Sequence, residues 1–349
     1  MSAPARLDAP LVVTMGEPAG VGGEIACMAW RDRDARDQPF CLIDDAGRIA
    51  KLSDDLALGV PIREIDTPKD TMTVWQDALP VLSRPLVHRV VPGTPDPGNA
   101  PMVIGAIDEA IALTRSGATS AMVTNPIQKS VLYTAGFHLP GHTEYLAEQT
   151  GVTAPPVMLL MAPGLRVALV TIHLPLADAI AALTADAIVT TATTVADGLR
   201  RDFGIDRPRL VVAGLNPHAG ESGSLGREEI DTISPAVEVL QRMGIDATGP
   251  FPADTLFHAA ARKRYDAAIC MYHDQALIPL KTIDFWRGVN VTLGLPIVRT
   301  SPDHGTALDL AGTGKANPES LIAALRAARD MAQHRYAAHK HISAAAGPA

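Results

Sequence analysis

Short apolar runs, each ending in polar or Gly/Pro residues and followed by a helical pattern, constrain this chain more than any other feature. "LVVTMG" passes through a Gly-Pro turn into "GGEIACMAW", and "FCLIDD" leads into "AGRIAKLSDDLA". A strand buried on both faces reads as a brief run of Val, Ile and Leu, and the crossover to a parallel neighbour reads as a helix of period 3.6. The rhythm continues with "NAPMVIGAIDEAIALTRSG" as an amphipathic helix, "SAMVTNP" as a strand with a polar end, and "GHTEYLAEQTG" as a helix stopped by Gly151. "PVMLLMA" and "LRVALVTIHLP" read as a strand pair, and residues 181–203 as one long helix. "RPRLVVAGLNPHAGE" is a strand emptying into a loop, "LGREEIDTISPAVEVLQRMG" a helix, and the last helix spans about Pro318 to His339. The fold class is therefore α/β, and the lack of a visible 20 to 50 residue repeat disfavours solenoids and propellers.

A chain of 349 residues exceeds what one hydrophobic core fills, so two domains, or one domain with a lobe, are expected. "PGTPDPGNAP" (Pro92 to Pro101) reads as a rigid surface loop or a linker, and the closing "KHISAAAGPA" as a frayed tail. A net charge of -8, with no basic run interleaved with aromatics, argues against a nucleic-acid partner. Cys27, Cys41 and Cys270 lie in apolar segments without metal-ligand spacing and read as buried thiols with no disulfide. No signal-peptide core and no membrane-length apolar run is visible, so a cytoplasmic location without membrane attachment is expected.

Chemistry concentrates where strands end. His173 in "VALVTIHLP", His218 in "LVVAGLNPHAGE" and His273 in "AAICMYHDQ" each follow an apolar strand and should reach one sheet edge. Three imidazoles with an open fourth position are the pattern of a catalytic metal site, but each could equally bond a backbone carbonyl at its strand end. "MGEPAGVGGE" opens a helix without matching G-x-G-x-x-G, so it is either a tight turn or an anion cradle. "HGTALDLAGTGKANP" is a second glycine loop, able to wrap a flat heterocycle or to be plain surface. Asp309 within it could accept hydrogen bonds from ribose hydroxyls and would repel a 2′-phosphate, which favours NAD over NADP. Lys281 and Arg299, with Asn290 between them, offer positive charge for an anionic substrate. Thr143, beside His142 at a helix start, could be no more than a cap.

Taken together, "GEPAGVGGEI", "TNPIQK", "GHTEYLAE", "TIHLPL", "GLNPHAGESG", "PADTLF", "MYHDQALIPLK" and "GVNVTLGLPIVRTSPDHGTALDLAGTGKANP" resemble the 4-hydroxythreonine-4-phosphate dehydrogenase family over nearly the whole chain. The resemblance implies two α/β/α domains around a central cleft, as in isocitrate and isopropylmalate dehydrogenases, assembled as a homodimer. Residues 1–125 with 296–349 would form the cofactor side, and 126–295 the metal, substrate and dimerisation side. His173, His218 and His273 would be divalent-metal ligands, one of them supplied across the dimer interface. Zinc stands first, with magnesium, cobalt or manganese as alternatives. His142, Thr143, Asp254, Asp274, Lys281, Asn290 and Arg299 would bind a small phosphorylated hydroxy amino acid, with Lys281 and His142 as candidates for proton transfer. His304, Gly305, Thr306, Asp309 and Asn317 would hold NAD. The implied reaction oxidises and decarboxylates 4-phosphooxy-L-threonine to 3-amino-2-oxopropyl phosphate, in vitamin B6 biosynthesis. Many members carry Asp and Pro where this chain has Glu17 and Gly23, which leaves local substrate contacts open. Competing readings are a related dehydrogenase of threonate or erythronate 4-phosphate or of a dihydrodiol carboxylate, a phosphate acyltransferase, and a non-catalytic metal-binding module.

Overall fold

The computed structural model describes residues 8–345 apart from Arg36, His138 and Pro140. The first apolar run forms β1 (Leu11–Thr14), buried at every position, and α1 (Gly22–Arg31) follows. The alternation then gives β2 (Phe40–Asp44), α2 (Ala46–Asp55), β3 (Ile62–Ile65), a short α3 (Thr71–Val74), β4 (Leu79–Ser83), α4 (Ala100–Arg115) and β5 (Met122–Thr124). α5 (Lys129–Thr134) precedes α6 (His142–Thr150), which stops at Gly151 as its sequence signals. β6 (Val157–Ala162) and β7 (Leu165–Leu169) form the expected antiparallel pair. α7 (Leu176–Ala182), α8 (Ala185–Phe203), β8 (Arg209–Ala213), α9 (Ser234–Arg242) and β9 (Asp246–Phe251) come next. The chain closes with β10 (Ala267–Cys270), α10 (His273–Ile283), β11 (Val289–Leu293), β12 (Arg299–Pro302) and α11 (Glu319–Ala345).

Two compact units result: Met1–Ala154 with Leu295–Ala349, and Pro155–Gly294. In the first, parallel strands run in the order β3-β4-β2-β1-β5-β12. Val103, Ile107 and Ile111 of α4 pack there with Val12, Cys41, Ile43 and Met122. Each such aliphatic side chain contributes roughly 1.5–3 kcal/mol when fully buried, so this face anchors the unit. Leu132, Phe137 and Leu146 join the same cluster. For that reason residues 126–154 belong to the first unit, and the expected boundary at 125/126 moves to 154/155.

The second unit has the order β11-β6-β7-β10-β8-β9, with β7, β10, β8 and β9 parallel. Ala276 and Leu280 of α10 pack with Val167, Val211 and Ala268, while α8 buries Ile188, Ala192, Val195 and Leu199.

Local chemistry overrides the simple pattern in several places. The single helix expected over 181–203 breaks because Thr184 is extended and its hydroxyl accepts the Ala187 N–H at 3.2 Å, capping α8 instead of continuing α7. Glu229–Ile233 forms a wide π-type turn before α9, whose first turn contains Pro235. Pro92 to Pro101 is a rigid loop: Asp96 accepts the Gly98 N–H at 2.8 Å, and the Gly93 N–H reaches the Ala19 carbonyl at 2.8 Å. α11 runs past His339 to Ala345, so much of the expected frayed tail is helical, and residues 346–349 lie outside the described residues. The cysteines are buried free thiols, and burial pushes Cys27 and Cys41 up to about 12. Among the described residues no single helix is long and apolar enough to cross a membrane.

Candidate metal and substrate site

In the second unit β7, β10 and β8 are parallel neighbours, so the residues after them emerge at one edge. Pairing continues beyond β7, where the Val170 N–H meets the Cys270 carbonyl at 2.9 Å and the Thr171 hydroxyl meets the Met271 carbonyl at 2.7 Å. His173 and His273 are thereby brought together, with ring centroids 5.7 Å apart and planes inclined by 44°. His273 is the first residue of α10, and its Nδ1 lies 2.7 Å from the neighbouring Asp274 carboxylate. A carboxylate at that nitrogen fixes the ring's orientation and leaves Nε2 for a ligand. Beside the pair lies a cavity of about 300 Å³ lined by His173, Leu174, Leu176, Tyr272, His273 and Asp274. Tyr272 and Asp274 also border a second cavity of about 400 Å³, where they meet Asp254 and Phe257.

His218 is presented differently. It begins a run in which His218, Ala219, Gly220, Glu221 and Ser222 all have positive φ, between 40° and 77°. Such a left-handed turn costs about 1–2 kcal/mol per non-glycine residue and persists only where its surroundings over-determine it. Glu229 supplies that constraint: one oxygen accepts the Leu215 and Asn216 N–H groups at 2.7 Å each, and the other accepts from the Asn216 side chain at 2.9 Å. Among the described residues no three His, Cys, Asp or Glu side chains form a group that could hold one ion. His173 and His273 are thus adjacent imidazoles, and His218 forms no three-ligand group with them among the described residues.

Gln275 received no role from its sequence position yet locks this edge. Its side chain accepts the Met271 N–H and donates to the Gly214 carbonyl, both at 2.7 Å, tying the ends of β10 and β8 together. Lys281 lies in the last turn of α10, with Nζ 5.3 Å from the Phe285 ring centroid. Asn290 on β11 has a buried Oδ1 with no hydrogen-bond partner among the described residues, leaving an acceptor that a ligand or water could use.

The first unit carries the remaining candidates. Arg299 on β12 is 3% exposed and donates twice to the Thr124 hydroxyl, at 3.2 and 2.6 Å. Burial lowers it to about 10 against the opposing pull of Glu144, so it stays charged at neutral pH. The cap of α6 is Gly141, so Thr143 is a buried first-turn residue and not the N-cap. His142 keeps a buried Nε2 without a hydrogen-bond partner among the described residues. Burial, with Arg299 and Lys129 adding to it, holds its pKa well below the ordinary value of 6.5. The unfolded chain then binds more protons than the folded one between that depressed value and about 6.5. Its contribution to stability is complete above the unfolded value and is lost as pH falls beneath it. The urea midpoint is expected to drop between about pH 7 and pH 5, and His142→Asn to flatten that slope; an unchanged slope would assign the proton uptake elsewhere.

The glycine loop joins β12 to α11. The Val21 N–H donates to the Thr306 carbonyl at 3.0 Å, and a Cβ on Gly20 would sit 2.8 Å from that same oxygen. The first glycine motif thus serves close packing against the second. His304 Nδ1 lies 2.8 Å from the Gly305 carbonyl, and a Cβ on Gly305 would meet open space. Asp309 is exposed, whereas Asn317 uses its side-chain oxygen to cap α11 through the Glu319 N–H at 2.8 Å. An exposed carboxylate on a loop of small residues suits a ribose, as the pair of imidazoles suits a divalent ion. Of the structural residues that sequence reasoning missed, Glu24 and Asn216 share one signal, a polar side chain set among apolar or glycine neighbours, whereas Glu229 sits in the charged run "REEID" and carries no such mark.

Comparison with known proteins identifies relatives that span most of the chain. The family described as pyridoxal phosphate biosynthetic protein PdxA matches residues 37–328. A Caulobacter vibrioides protein named 4-hydroxythreonine-4-phosphate dehydrogenase is 54% identical over 331 residues, covering 93% of this chain and 98% of its own. A crystal structure of 4-hydroxythreonine-4-phosphate dehydrogenase from Klebsiella pneumoniae is similar at a TM-score of 0.82 and 37% identity, over 93% of this chain and 100% of that one. A terephthalate 1,2-cis-dihydrodiol dehydrogenase from Burkholderia xenovorans reaches a TM-score of 0.62 at 26% identity, over 92% and 98% of the two chains. Given a family match over most of its length and a relative more than half identical, the chain belongs to the PdxA family of pyridoxal phosphate biosynthetic proteins.

Proposed function

We propose that the protein oxidises the C3 hydroxyl of 4-phosphooxy-L-threonine with NAD, and that the resulting 2-amino-3-oxo acid loses carbon dioxide to give 3-amino-2-oxopropyl phosphate for pyridoxal 5′-phosphate synthesis. The observation that carries this reading is the His173 and His273 pair beside its cavity, in a chain of this family. His173, His273 and His218 would hold a divalent ion, zinc before magnesium, cobalt or manganese. Bound there, it supplies the Lewis acidity that eases loss of the hydroxyl proton and stabilises charge during decarboxylation.

The chain's own residues do the rest. Asp254 and Asp274, which share a cavity, suit the ammonium group of an amino-acid substrate. Arg299 presents a buried positive charge for phosphate or carboxylate, and Asn290 an acceptor for a hydroxyl or ammonium hydrogen. His142 is neutral at physiological pH, so its ring can accept a proton; Lys281 is the other candidate for that transfer. The Asp309 carboxylate would hold the ribose of NAD and exclude a 2′-phosphate. The cytoplasm, where free thiols such as the three cysteines persist, is the compartment we infer.

The test follows NADH formation with a divalent metal and 4-phosphooxy-L-threonine, beside threonate and erythronate 4-phosphates and a dihydrodiol carboxylate. Turnover that prefers the amino acid is expected; turnover with only one of the other substrates would move the protein to that branch. Because His218 forms no metal-holding group with the other two imidazoles among the described residues, we infer that a second copy supplies it. Mixing inactive His173→Ala and His218→Ala proteins should then restore about a quarter of wild-type activity through random dimer exchange. No recovery from freely exchanging subunits would place all three ligands in one chain.

A further inference from the structure

α1 buries every residue from Gly22 to Trp30, and one of them is charged. Glu24 is 1% exposed, a position where a carboxyl group calls for donors. Its Oε1 accepts the backbone N–H of Gly312, 288 residues away on the glycine loop, while its Oε2 has no hydrogen-bond partner among the described residues, and burial raises its pKa against the pull of the Gly312 and Gly314 amides. Gly312 has a φ of 76°, the left-handed conformation in which its N–H meets the carboxyl oxygen, and Gly314 follows at 69°. A Cβ on Gly312 would lie 2.7 Å from Pro92, so the loop passes between the rigid Pro92 segment and Glu24. Glu24 and Gly312 also line a cavity of about 480 Å³ together with Arg48, Lys51 and Leu52 of α2.

The other end of the loop is fixed at Thr306, by the Val21 N–H and by a 3.2 Å bond from its hydroxyl to Gln128. Between the two anchors run successive turns, closed by Leu310 N–H to Ala307 carbonyl at 3.0 Å and Thr313 N–H to Leu310 carbonyl at 3.1 Å. Asp309 lies within these turns.

We propose that Glu24 is a positioning residue for the nicotinamide cofactor, holding the Gly312 to Gly314 turn so that Asp309 stands at a fixed place for the ribose. The inference rests on reading residues 304–317 as the cofactor loop. The latch is the single carboxyl oxygen that accepts the Gly312 N–H, and an aliphatic side chain of similar size would leave that donor without an acceptor.

The experiment is a double-mutant cycle read by NADH binding to the metal-loaded protein, with hydrogen exchange over residues 304–317 measured in parallel. Glu24→Leu is expected to weaken NADH about tenfold and to raise exchange selectively in that loop. The kinetic loss should fall on KM for NAD and not on KM for the phosphorylated substrate. Adding Asp309→Asn should cost less in the Glu24→Leu background than in wild type, since both act on one contact. If Asp309→Asn alone leaves NADH binding unchanged, the cofactor-loop reading fails. If it weakens binding while Glu24→Leu does not, or if the two effects simply add, the role of Glu24 is overturned. Should Glu24→Leu not fold, the wild type still decides: the Gly312 amide must be protected without cofactor, and rapid exchange there would refute the latch.

Discussion

Alanine in place of His273 is expected to lower kcat/KM about a thousandfold or more, and a chelator to do the same to the unaltered enzyme. His173 and His273 are the two imidazoles that the chain brings together, 5.7 Å apart between centroids. Removing one halves what this edge can offer an ion. The charge stabilisation at stake is several kcal/mol, and each 1.36 kcal/mol is a factor of ten in rate. The fold should barely respond. His273 is half-buried at the start of α10, its bond to Asp274 is exposed, and such pairs contribute about 0–1 kcal/mol. The check is kinetics together with metal content per chain and a urea midpoint. A His273→Ala protein that retains full metal and turns over within tenfold of wild type would end the metal-site reading.

A second large effect is expected where no substrate is touched. Glu229→Ala should destabilise the protein by about 3–5 kcal/mol, because it removes a buried acceptor from three donors at once. Those donors are the Leu215 and Asn216 N–H groups and the Asn216 side chain, and Glu229 itself is 3% exposed. The lost bonds also release the left-handed turn carrying His218, Ala219, Glu221 and Ser222, whose backbone each prefers the right-handed region. Denaturant unfolding measures the effect through the midpoint at constant slope. A loss below about 1 kcal/mol would mean that the turn is held by something other than this carboxylate.

The elements that were legible in advance are those whose information is local. β1, β2 and β10 are runs of buried apolar residues, and α4 repeats its buried positions at helical spacing. His173, His218 and His273 could be singled out because a strand's end is visible in sequence. The clamp formed by Gln275 could not, since its partner Gly214 lies 61 residues away. The same holds for Glu24 and Gly312, whose contact exists only once the last part of the chain has returned to the first sheet. The break between α7 and α8 was hidden for another reason: Thr184 suits either a helix interior or a cap, and tertiary packing chooses between them. The domain boundary was misplaced because α5 and α6 lie between two strand patterns and look alike wherever they pack. Only Leu132, Phe137 and Leu146, seen against α4, assign them.

The discontinuous first unit has a consequence for the order in which the chain is made. β5 receives its outer neighbour only when β12 arrives, and the residues that join them, Thr124 and Arg299, are 175 positions apart. At 5–20 residues per second the ribosome needs on the order of ten to thirty seconds to cover that distance. Throughout that interval β5 is an open edge, with backbone donors and acceptors that could recruit a foreign strand. The continuous unit Pro155–Gly294 emerges whole within the same interval. Nascent chains are therefore most exposed to misassembly at β5, and it is the final fifty or so residues that close the gap.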